Sequence, residues 1–114
     1  MKIKTDDALT NASPAAQRLY QTLLDQLRKF GPFEEETKKT SVHLVRNSAF
    51  VGVRFRRGHL NVTIKSTERL DSARCVKSEQ VSKHRWHNEV NLYNEADFDQ
   101  ELSECLRAAY ELCA

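Results

Sequence analysis

Glycine and proline are scarce in this chain, three and two residues of 114, which excludes collagen-like and low-complexity architectures. So few glycines also leave little for a phosphate-cradling loop, and no Walker-type loop, nucleophile elbow or dinucleotide fingerprint is present. No apolar run approaches the roughly 20 residues a membrane span needs, and Met1 to Asp7 contain no apolar signal region. The three cysteines, Cys75, Cys105 and Cys113, are odd in number, so at least one stays outside any intrachain disulfide. The expectation is a cytoplasmic location with free thiols and no membrane partner.

What is there suits a single domain. The chain is 39% hydrophobic and 30% charged, and at this length roughly 65% of the unfolded surface is buried on folding. Its net charge of +2 conceals a division. Residues 38 to 87 carry twelve Lys or Arg against three carboxylates, a net of +9. Residues 88 to 114 carry one Arg against seven carboxylates, a net of −6, and the first 37 residues net −1. A concentrated positive block can create a local field; solvation of an outer face is the plainer use of the same charges.

Along the chain, residues 1–12 show no period and are expected to form a mobile lead-in to a domain spanning 13–114. Ser13-Pro14 opens a helix, since Ser caps free amides and Pro fits the first helical position. Leu19, Tyr20, Leu23, Leu24, Leu27 and Phe30 form its apolar stripe, and Gly31-Pro32 stops it near residue 30. Phe33 to Thr37 reads as an acidic connector. Its three consecutive carboxylates cannot converge on one face and so make no metal or acid–base site.

Strand-like alternation follows in Ser41 to Val45, in Val51/Val53/Phe55 and in Leu60/Val62/Ile64, with Arg57-Gly58 turning the last two into a hairpin. Residues 66 to 83 read as a long polar excursion with a short strand near Cys75 to Lys77. A further strand covers Arg85 to Tyr93, where Trp86, Val90 and Leu92 share one parity. Asn94, with Asp97 in capping-box position, opens a final helix whose stripe is Phe98, Leu102, Cys105, Leu106, Ala109, Leu112 and Cys113. The order predicts an α+β fold: a two-layer sandwich of an antiparallel sheet of three to five strands, with N- and C-terminal helices on one face.

From Lys39 to Tyr110 the chain resembles a bacterial domain family of unknown function. The resemblance rests on Lys39-Thr40, Phe50, the basic hairpin Arg54 to Ile64, Arg85 and His87, and a last helix with Asp97, Asp99, Leu102, Ala109 and Tyr110. The family's usual proline in the hairpin is replaced here by arginine. It implies a small α+β domain that stands alone or is appended to larger proteins, some nuclease-like, and it implies no established catalytic residue.

Candidate chemistry is thin. His84 and His87, three apart, fall on opposite faces of a strand, and no C-x-x-C accompanies them, so no metal is assigned. Cys105 and Cys113 sit on a core stripe; Cys75, near Arg74 and Lys77, is the one candidate nucleophile but has no histidine placed against it. Asp97 and Asp99 read as helix caps rather than acid catalysts, and no catalytic residue or cofactor is assigned. Trp86 could stack on a base, but its parity with Val90 and Leu92 favours a core anchor.

The same parity leaves Arg54, Arg56, Lys65, Arg85 and His87 facing outward together, with Arg57 and His59 at the hairpin tip. Such a surface suits an anionic partner, nucleic acid or an acidic protein. The expectation is a non-enzymatic binding module. The alternatives are a protein–protein or self-association module, such as a homodimer, and a small-molecule-binding domain.

Overall fold

The computed structural model describes residues 12–114. The expected lead-in lies outside them, except for Ala12, which packs half-buried against the core. Helix α1 (Pro14–Arg28) begins as the sequence indicates: Ser13 is the N-cap and its hydroxyl accepts the Ala16 N–H at 3.2 Å. Six strands follow, β1 (Glu34–Thr37), β2 (Val42–Val45), β3 (Ala49–Arg56), β4 (His59–Ser66), β5 (Cys75–Ser82) and β6 (Arg85–Leu92), and helix α2 (Gln100–Leu112) closes the chain. They form one antiparallel sheet in the order β1-β2-β3-β4-β6-β5. Among the described residues, no helix is long and apolar enough to cross a membrane.

The α+β class and its two helices stand, but the sheet has six strands rather than three to five. The acidic connector is β1, and the polar excursion contains the eight-residue β5. Both are edge strands. Mostly exposed on either face, they are held by main-chain hydrogen bonds to one neighbour and need no apolar alternation, the feature on which strand reading depends.

Alternation does govern the four inner strands. Val42, Val53, Val62 and Val90 lie opposite one another across the sheet, and Phe55, Leu60 and Leu92 form a parallel row. These residues, half-buried Phe55 included, pack in one core with Leu19, Leu23 and Leu27 of α1 and Leu102, Leu106 and Ala109 of α2. Each fully buried Leu or Val stabilises the fold by roughly 1.5–3 kcal/mol. A bulge where Val45 meets Ala49 leaves Phe50 unpaired, and Phe50, fully buried beside Val51, meets Tyr110 of α2 edge-on at 5.3 Å.

Two local expectations need correction. Asn94 does form a capping box with Asp97, but it caps a 3-10 turn (Glu95–Asp97); α2 starts later, with Asp99 as N-cap accepting the Leu102 N–H at 3.1 Å. Trp86 has the helix-side parity yet is only half-buried and not part of the core, because it sits at the start of β6 opposite Ser66 and Gln80. At the next position of that parity Asn88 is fully buried, as Val90 and Leu92 are further along the strand. The Asn88 amide donates to the Ile64 carbonyl and Ser66 Oγ, while its Oδ1 accepts from Ser78 Oγ and the Leu70 N–H. That network ties the 67–74 segment to the sheet.

Candidate functional site

With both helices on one side, the other face of the sheet is open among the described residues. The register assigns its residues: His43 on β2, Gly52, Arg54 and Arg56 on β3, His59, Asn61, Thr63 and Lys65 on β4, and Arg85, His87, Glu89 and Asn91 on β6. A row runs His43–Gly52–Thr63–Glu89 across four strands. Because Gly52 contributes no side chain at its centre, a shallow concavity of about 320 Å³ opens there, bordered by Ser41, His43, Arg54, Thr63, Lys65 and His87. A Cβ placed on Gly52 would touch His43 Cδ2 and Thr63 Cβ at 3.8 Å, so the floor lies between those two side chains.

The seven expected binding residues are not one cluster. Arg54, Lys65 and His87 border the Gly52 concavity. Arg56 and Arg57 line a separate depression at the hairpin tip with Ser13, Lys39 and Thr40. His59 lies beside Tyr93, ring centroids 4.7 Å apart and planes 30° from parallel. Arg85 is at the far end of β6 opposite Ser82. None of the five cationic side chains is ion-paired to a described residue, whereas Arg74, equally part of the basic block, is bound to Asp99 and Glu101.

Residues beyond those seven change the electrostatics. Glu36 is the partner of His43, with Glu34 on the same face of β1, and across β5 and β6 Glu79 lies opposite His87 and Glu89 opposite Lys77. The open face is therefore a cationic centre on β3 and β4 between two flanks that carry carboxylates, not a uniformly basic surface. The binding set expected from sequence did not include His43 or Gly52, nor Thr63 and Tyr93, although alternation turns those last two outward. The intrastrand glycine within an alternating run was the available signal for a dent; His43 gave none, since only the pairing of β2 with β3 brings it to the floor.

Titratable groups report the setting. Burial holds the His87 imidazole below its usual pKa, Lys65 and Arg85 push it the same way, and Glu79 opposes them. Asn61 is 7% exposed and donates to Asn91 Oδ1 at 3.0 Å and Glu89 Oε1 at 3.4 Å; its own Oδ1 has no partner among the described residues. The candidate nucleophile Cys75 is half-buried opposite Val90, with its Sγ 3.0 Å from Ser78 Oγ. Burial, with Glu101 and Glu104, raises the Cys105 pKa, and Cys113 is buried in the core. No group of three His, Cys, Asp or Glu among the described residues is placed to hold a metal.

A helix-backed antiparallel sheet with one open, charged face defines a small two-layer α+β domain. The chain belongs to the family described as a domain of unknown function, DUF5655, which matches residues 5–113. The match takes in α1 and β1 and so extends well before Lys39, where the recognisable motifs begin. Comparison with curated proteins finds no match, and comparison with solved structures finds none either.

Proposed function

We propose that this domain is a non-enzymatic binding module, working in the cytoplasm, whose open sheet face holds an anionic partner, with nucleic acid the favoured one. The observation that carries this reading is the set of unpaired cations on the central strands: Arg54 and Arg56 on β3 and Lys65 on β4, each lacking a carboxylate partner among the described residues. Guanidinium forks suit phosphate oxygens and demand no sequence readout. The family resemblance implies that such domains stand alone or are appended to larger proteins, some nuclease-like, which supports the same partner.

Counterion release supplies the test. Binding should weaken as salt rises, with a log–log slope of about 0.7–0.9 per phosphate neutralised. The double substitution Arg54→Ala/Arg56→Ala should lower that slope by about 1.4–1.8 while leaving the thermal transition in place. If neither single strands nor duplexes bind at low salt, the reading fails.

A second reading is a protein contact or self-association at the β5–β6 end. Val76 and Val81, near opposite ends of β5, are 59% and 46% exposed and Trp86 is half-buried, apolar side chains that the helices leave uncovered. It predicts a mass in solution that rises with concentration.

A further inference from the structure

We infer that the open face takes single-stranded nucleic acid, with one unstacked base seated in the Gly52 concavity and another stacked on Tyr93. The inference rests on the anion-binding reading and names its ligand class.

Three observations lead there. The first is the shape of the charge. The cations of β3 and β4 run between Glu34 and Glu36 on one side and, on the other, a mixed flank in which Glu79 and Glu89 stand among Lys77 and Arg85. A duplex presents phosphates on two strands over a broad front and would meet those carboxylates. A single backbone can follow the central strands, where His59 and Lys65 at the ends of β4 are ~20 Å apart.

The second is the concavity. Its floor is main chain at Gly52, walled by His43 and Thr63, with Arg54 and Lys65 at the border. About 320 Å³ is at the small end of ligand pockets, room for one planar ring system and not for a folded partner's surface. Bases of a duplex are hidden in the stack, so only a single strand offers one to a dent in a sheet.

The third is independent of the dent. Tyr93, just past β6, is 58% exposed and stacks beside His59 at the end of the sheet, where it also borders Ala15 and Arg18 of α1. An exposed aromatic buttressed by a second ring is a stacking platform that accepts any base. Phosphates between the two seated bases fall to Arg54 and Arg56, the guanidinium groups on the adjacent strand.

The experiment uses the full chain, a labelled oligothymidylate of ~12 nucleotides, a duplex of equal length, thymidine monophosphate and heparin, all at low salt. Expected is tighter binding to the single strand than to the duplex, with the mononucleotide far weaker. Tyr93→Ala and Gly52→Val should each weaken the oligothymidylate about tenfold and leave heparin binding and its salt slope unchanged. Gly52→Ala, whose Cβ meets only ordinary 3.8 Å contacts, is the milder filling variant if the valine perturbs folding, and should weaken the strand less. Equal affinity for duplex and single strand, or variants that alter nothing, overturns the inference while the anion-binding reading stands on heparin. A mononucleotide bound as tightly as the strand also overturns it. Absence of binding to all four probes overturns both.

Discussion

Burying a side-chain amide is costly unless its donors and acceptor are met, and Asn88, at 0% exposure, has both donors used and its oxygen accepting twice. Asn88→Ala should therefore cost about 3 kcal/mol, read from the urea midpoint, because the Leu70 N–H and Ser66 and Ser78 hydroxyls lose their partner together. Faster amide exchange at Leu70 should accompany it; retained protection there would mean that the amide does not anchor the loop. Parity alone placed position 88 on the helix side, but a polar letter gave no hint of burial, since its acceptors come from β4 and its donors from β5 and the 67–74 segment. His87, its neighbour on the opposite face, is a separate case. Its folded pKa lies below the ordinary value, so the unfolded chain takes the proton more readily. The stability this residue contributes is present above about pH 6.5 and declines as pH falls below it. His87→Gln should flatten that acid-side decline in urea midpoints. A bound phosphate has the opposite effect, favouring the protonated ring, so affinity for the strand should rise toward pH 5.5 in the parent and less so in His87→Gln.

Helix ends and strand edges differ in how far local sequence determines them. Ser13-Pro14 and Gly31-Pro32 bracket α1 through capping and backbone chemistry that works within a few residues, which is why both were legible. Gly31 does more than stop the helix: its φ is +147°, and a Cβ there would collide with the Tyr110 hydroxyl, which donates to the Pro32 carbonyl at 2.8 Å. The end of α1 is thus fastened to α2 at a point no side chain can occupy. Gly31→Ala should destabilise by at least about 2 kcal/mol, from backbone strain and lost packing. In a Tyr110→Phe background the same change should cost less, because the colliding oxygen is gone, and a strictly additive double-mutant cycle would refute the contact. The edges β1 and β5 were illegible for the contrary reason. Their stability comes from main-chain bonds to β2 and β6, and nothing in Glu34–Thr37 or Cys75–Ser82 records that a partner will arrive from elsewhere. The candidate site was half legible on the same logic: alternation pointed Arg54, Arg56, Lys65 and His87 outward, whereas the addition of His43, Glu36 and Glu79 depends on strand order.

At the scale of the molecule, the six-stranded sheet has two edges that no described residue pairs, and both carry features that resist pairing with another copy. At β1 the edge is four residues long and lined with Glu34, Glu35 and Glu36, so a second β1 would bring like charges together. At β5 the edge is eight residues long but irregular: Val76 and Val81, the exposed valines, are the extra residues where the register shifts against β6. Bulges bend and twist an edge away from the flat geometry that a partner strand needs. The prediction is a monomer of 13.2 kDa across the concentration range accessible to sedimentation equilibrium, at low and high salt alike. Val81→Lys should leave that mass and oligonucleotide binding unchanged, since the β5 edge lies outside the central track of cations. A mass that grows with concentration and reverts in Val81→Lys would instead assign the β5–β6 end to self-association. Nucleic-acid affinity lost in the same variant would place the anionic partner on the flank rather than along β3 and β4.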